Sequence, residues 1–360
     1  MINRDDLKAA VGSGLLSERQ AANLISLADS RRGAREALAA GDEPFELFKG
    51  FNEIFIVIGL LILSSGWWGV VTLLLGGSRI VNLQDYALGV SLAGAAFLWL
   101  LSEYFIRKRR MVAPAIALSI MFAGNAAFGF IALMSEPFMI AQGDYSSVPV
   151  PLLLATLALG LYWWRFRVPF AMAMIAVGLF VVAIIFAASR GGRITEISDL
   201  FLLSAGGPFA WITLALGLLV FAAAMAFDTS DPHRVTRRSA NGFWLHVVAA
   251  PALVNTVALS LLDQHNGGSN LILLAFLALF AIVAIVIDRR SFLIAAIGYI
   301  VVLAGTVLDG SGAAYTVLAL GIVLLLLGAF WERIRARVLR LMPGFVPLHK
   351  LPPSHNQGLT

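Results

Sequence analysis

From Phe51 to Trp331 the chain alternates long apolar runs with short polar connections. Ten runs stand out, at 53–76, 86–106, 112–134, 148–164, 168–188, 203–227, 243–262, 271–287, 291–308 and 313–331. Most approach the ~20 residues a helix needs to cross a hydrocarbon layer roughly 30 Å thick. The runs are expected to be helical, because lipid offers no partner to backbone N–H and C=O groups. A barrel would need segments of about ten residues alternating in polarity, and these runs do not alternate. The pattern predicts an all-α integral membrane protein of about ten transmembrane helices, preceded by a small helical cytoplasmic segment. The fourth and eighth runs are short. Segment 196–206 reads as an interfacial turn or a re-entrant piece.

The polar connections set orientation. With the N-terminus inside, all but Arg79, Arg190 and Arg193 of the 26 Lys and Arg fall on one side. They cluster at Arg107 to Arg110, Arg165 and Arg167, Arg234 to Arg238, Arg289 and Arg290, in the residues before Phe51, and from Arg333 to Lys350. Short basic loops stay cytoplasmic, so both termini are expected inside. Trp99, Tyr104, Trp163, Trp164, Trp244 and Trp331 fall near the same ends, where amphipathic rings settle at headgroup level.

Composition agrees: 13% of residues are charged and mean hydropathy is +0.87, against about 25% charged in soluble domains. A pI near 9.8 would suit a nucleic-acid binder, but the cations lie where topology puts them, and no nucleic-acid partner is expected. Cysteine is absent, which excludes thiol chemistry and a disulfide framework. The polar first fifty residues give no sign of a cleavable leader.

Three regions follow: a cytoplasmic segment and linker at 1–44, a transmembrane domain at 45–331, and a basic tail at 332–360. In the first, Ser17 and Gln20 fit a capping box, and Leu16, Leu24, Ile25 and Leu27 give the next helix an apolar face. The segment reads as a solvated hairpin or as a docking element for a protein partner. Phe45, Phe48, Phe51 and Phe55 mark an interfacial helix at 45–52 leading into the first span. In the tail, Ile334, Val338 and Leu341 oppose Arg333, Arg337 and Arg340. That is a positive-inside anchor or a contact for anionic lipid. Proline and polar residues suggest disorder beyond Pro343.

Within the spans, small residues at Gly298 and Gly305, and at Ala314, Gly321 and Gly328, repeat every seven positions. They predict a packing seam between the last two helices. Polar groups in hydrocarbon are the best pointers to function. Asn125 and Asn255 fall near the middle of the third and seventh spans, either as interhelical glue or as the lining of a central cavity. Pro251, one turn before Asn255, would free a carbonyl and kink the helix. His246 lies toward the cytoplasmic end of the same span and titrates near neutral pH. Glu103 and Arg107 are spaced for a helical ion pair at the interface, and Glu53 is expected to be interfacial.

No nucleotide-binding loop, dinucleotide fingerprint, metalloprotease helix or nucleophile elbow is present. His233, His246, His265, His349 and His355 have no metal-ligand spacing. No enzyme activity, metal or cofactor is expected. The stretch Gly14-Leu15-Leu16-Ser17-Glu18-Arg19-Gln20-Ala21, followed by many spans, resembles an uncharacterised family of predicted bacterial multi-pass membrane proteins with a short cytoplasmic helical segment. That resemblance implies the bacterial cytoplasmic membrane and carries over no activity or site residues. Two functions are open: a non-catalytic scaffold, sensor or interaction protein, and a secondary transporter with a midplane site near Asn125 and Asn255.

Overall fold

The computed structural model describes residues 51–77, 83–136, 139–192, 196–232, 234, 236–264, 267–289, 298, 300–301, 310–343 and 350–352, with isolated positions between Leu7 and Leu27. Among these there is no strand. The long helices are α1 (Phe51–Gly77), α2 (Leu83–Ser102), α3 (Val112–Met134), α4 (Pro149–Phe166), α5 (Pro169–Ser189), α6 (Phe209–Ser230), α7 (Arg237–Leu262), α8 (Gly267–Ile287) and α9 (Gly310–Leu341). A π-helical turn, Glu103–Lys108, extends α2. Eight helices, all but α4, are long and apolar enough to cross a membrane. α4 is an 18-residue helix that carries Pro149, Pro151, Trp163, Trp164 and Arg165. The expected ninth run and the interfacial helix at 45–52 lie largely outside the described residues.

From α2 to α8 each helix packs on the next in the chain, running antiparallel to it. α3 lies against α1, α2 and α4; α5 lies against α4, α6 and α7; α7 packs on α6 and α8; and α8 packs on α9. Near the centre of the first half, Phe122 stacks on Tyr162 with ring centroids 4.7 Å apart, and Phe166 and Trp99 close the cluster. Ser102 donates to the Leu98 carbonyl, so the Tyr162 hydroxyl, 2.8 Å away, donates to Ser102. Buried aromatic hydroxyls normally find such a partner.

Long-range polar contacts sort the helix ends onto two faces. One face joins Glu103 to Arg165 at 2.7 Å, Arg237 to the Phe166 carbonyl, Arg289 to the Ser239 carbonyl, and Arg335 to the Ile285 carbonyl. The opposite face joins the Glu136 N–H to Ser147, the Leu203 N–H to Ser260, and Ser204 to Asp263. The basic turns thus share one end of the bundle. Four residues at these turns, Arg110, Arg167, Arg234 and Asp288, hold φ between 52° and 57°. This left-handed position normally falls to glycine at a helix C-terminus.

Several boundaries differ from the sequence pattern. Segment 196–206 forms two short 3₁₀ turns, Ile197–Leu200 and Leu203–Ala205, tied to the end of α7; it is a surface turn. The sixth helix extends to Ser230 and the seventh begins at Arg237, so Asp228 and Asn241 lie within helices. Glu53 is 2% exposed, and its carboxylate accepts the Ala113 N–H at 3.0 Å. It caps α3, where a negative charge meets the positive end of the helix dipole.

Candidate functional site

Asp228 stands in the last turn of α6, pressed against α7 where Gly242 leaves room. A Cβ on Gly242 would lie 2.3 Å from the Asp228 carboxylate. One helical turn along α7, His246 Nε2 meets Asp228 Oδ2 at 3.0 Å. A carboxylate only accepts, so Nε2 carries the hydrogen. Arg289, just beyond α8, donates from Nε to the same oxygen at 3.0 Å, from Nη2 to Asp228 Oδ1, and from Nη2 to the Ser239 carbonyl at 2.8 Å. His246 is fully buried, and the Asp228 and Arg289 side chains are each 7% exposed. An isolated carboxylate buried this way would be very costly. Here a two-pronged guanidinium neutralises it, which is the strongest common form of carboxylate pairing.

A second cluster adjoins the first. Arg234 reaches Asp288 at 2.8 Å and the carbonyls of Ile287 and Asp288. Burial pulls the Arg234 guanidinium below the usual arginine range; nearby Arg289 adds to the shift, and Asp288 opposes it. Trp331 Nε1 donates to Asp288 at 2.8 Å, and Arg335, 1% exposed, donates to the Ile285 and Val286 carbonyls and to Pro352. Cations at a helix C-terminus satisfy carbonyls left without partners inside the helix. The two clusters tie the ends of α6, α7, α8 and α9 together.

Asn125 is elsewhere. Its Nδ2 donates to the Ser91 carbonyl at 2.8 Å, and the Ser91 hydroxyl returns a bond to the Asn125 carbonyl at 3.1 Å. Gly94 and Gly129 allow the approach, since a Cβ there would lie 2.5 Å from Asn125 Oδ1 and 2.1 Å from Ser91 Oγ. Asn125 therefore joins α2 to α3. Asn255 lies on α7, half-buried, and its helix packs against α5, α6 and α8. Among the described helices in extensive contact, the pair of α3 with α7 does not occur. Pro251 is exposed, and α7 runs through it unbroken. His246 belongs to the Asp228 cluster, apart from Asn125.

Glu103 and Arg107 pair at 3.1 Å, and Arg165 joins them. The expected seam is not closed among the described residues: Gly298, Gly321 and Gly328 are exposed, and a Cβ on any of them would meet nothing within 4 Å. Among the described residues α9 engages α8 through its C-terminal part, with Trp331, Ile334 and Val338 packed beside Ile285 and Ile287. Gly305 and the Ala314 side chain lie outside the described residues. Arg333, Arg337 and Arg340 are exposed as expected, but Leu341 is 82% exposed, while Arg335, Ala336 and Leu339 are buried. At the N-terminus the Ser17–Gln20 capping box forms, with reciprocal bonds of 2.9 and 3.3 Å, and Leu24 and Leu27 are exposed. His233, His265, His349 and His355 lie outside the described residues, and no metal-binding group occurs among those described.

Between the basic turns opens a depression of about 790 Å³ lined by Arg107, Arg110, Arg165, Arg167, Arg237 and Arg238, with Trp163, Phe166, Phe227 and Asn241 among its walls. Asp228, Asp288, Arg234, Arg289 and Arg335 were hidden in the sequence because each lies in a segment that reads as a positive-inside turn or tail. The acids at 228, 231 and 288 within those basic turns were the available signal. Comparison with protein-family models, curated proteins and solved structures returns no match.

Proposed function

We propose that the chain is a non-catalytic scaffold or sensor of the bacterial cytoplasmic membrane, with ten spans and both termini inside, acting through its cytoplasmic face. One observation carries this reading. Two deeply buried polar clusters are paired, Asn125 with Ser91 and Asp228 with His246 and Arg289, and beside Asn125 lies a small, mainly apolar pocket against Trp67 and Trp68, while a far larger depression opens at the arginine-rich end. A transporter needs a polar site that water reaches near the midplane. Support for ten spans comes from the two faces: α4 links Ser147 at one face to Phe166 at the other, and its 18 residues rise about 27 Å. The proposed tenth crossing is the apolar run 291–308 of the sequence, which joins Arg289 at the basic face to Gly310 at the far end of α9.

The alternative is a secondary transporter with a midplane site near Asn125 and Asn255, to which the structure adds Asp228 and His246 as candidate proton-carrying groups. What favours it is that acid and histidine pairs within membrane helices often serve as proton relays. Proton flux into proteoliposomes under an imposed potential separates the two. The first reading expects flux no greater than in empty vesicles. Flux that folded His246→Gln protein lacks would establish the second.

A further inference from the structure

We infer that the depression between the basic turns is a binding site for a phosphate-bearing anion, an inference that rests on the cytoplasmic face being the working surface. Among the described residues six arginines line it and no carboxylate does. Glu103, beside it, is shared between Arg107 and Arg165. At the wall, Arg237 is only 7% exposed. Asn241, 5% exposed, has its side-chain oxygen taken by the Trp163 N–H at 3.4 Å, which leaves its amide N–H groups as donors without a hydrogen bond among the described residues. Guanidinium forks and amide donors match phosphate oxygens, and arginine is the usual choice for that geometry.

The backbone makes a separate point. Arg110 and Arg167 hold φ of 52° and 53° on the rim of this depression. Glycine would adopt that conformation without strain, whereas an L side chain resists it. The helix dipole favours a cation anywhere in the last turn, as Arg165 already supplies, and does not require one at the left-handed residue. Any basic residue in these turns would meet the positive-inside rule; arginine at these two positions also brings a guanidinium to the rim of the depression. The phosphate could belong to an anionic lipid headgroup, since basic pockets at the cytoplasmic ends of membrane helices hold such groups, or to a soluble phosphate compound.

The test uses the full-length protein with two probes: inorganic pyrophosphate titrated into detergent-solubilised protein, and cardiolipin in phosphatidylcholine nanodiscs read by native mass spectrometry. Saturable binding of pyrophosphate identifies a soluble source, and retention of cardiolipin alone identifies a lipid source. In either case Arg110→Gly with Arg167→Gly should weaken binding at least about tenfold while thermal stability holds or rises. Arg167→Gln gives the same reading should the glycine pair fail to fold. Arg190→Gln, exposed at the opposite face and outside the depression, should leave binding unchanged. Binding of neither probe, or a loss from Arg190→Gln equal to that from the arginine pair, would overturn the site. Neither result bears on the proton-flux test of the proposed function.

Discussion

In the first half of the bundle α2 and α3 are joined by neutral groups, the Asn125 amide and the Ser91 hydroxyl, beside an aromatic cluster of Trp99, Phe122, Tyr162 and Phe166. In the second half α6, α7 and α8 are joined by a carboxylate, an imidazole and a guanidinium that are all buried. Neutral glue has a low cost of exposure, so losing it leaves little behind. The buried ion pair holds only while both Asp228 and Arg289 are present, because either one alone is a buried ion without a counter-ion. The second half should therefore be the more brittle, with its stability concentrated in a few side chains.

The largest expected effect follows from removing one charge. Asp228→Asn leaves Arg289 buried without its counter-charge and should destabilise the protein by about 3–5 kcal/mol, read by thermal unfolding in detergent. Replacing both partners, as Asp228→Leu with Arg289→Met, should cost less than Asp228→Asn alone, since no orphan charge remains. A double variant worse than that single one would mean that shape rather than charge holds the site. In the first half Asn125→Ala should cost only about 0.6–1.7 kcal/mol, the range for polar contacts between membrane helices. A loss as large as that of Asp228→Asn would erase the contrast between the halves. Smallest of all, Glu103→Gln should change stability by at most about 1 kcal/mol, because its partners Arg107 and Arg165 are well exposed.

The all-helical fold was legible because hydrocarbon imposes a length and polarity on each run, and the gathering of the basic turns at one end of the bundle follows their alternation along the sequence. Asn125 was found as a polar group in lipid, and His246 as a titratable one, because such residues are rare in these segments. Their partners were not found. Ser91 looks like any small residue in a membrane helix, and Asp228 sits one residue past the apolar run that announced α6. Arg289 and Arg335 were read as topology markers, since a cation's sequence position does not reveal whether it turns toward water or back onto helix carbonyls. Small residues such as Gly321 and Gly328 permit close packing without specifying a partner, and the run expected opposite them, 291–308, lies largely outside the described residues.

The central claim is a closed interior with a working cytoplasmic face, and the absence of cysteine allows it to be tested residue by residue. Single cysteines at Asn125, Asn255 and Arg167 can be probed with a membrane-impermeant maleimide in right-side-out and inverted vesicles. Labelling at position 167 in inverted vesicles only, with none at 125 or 255 from either side, is the predicted result. Modification of position 125 or 255 in native membranes would reveal a water path through the bundle and contradict the account.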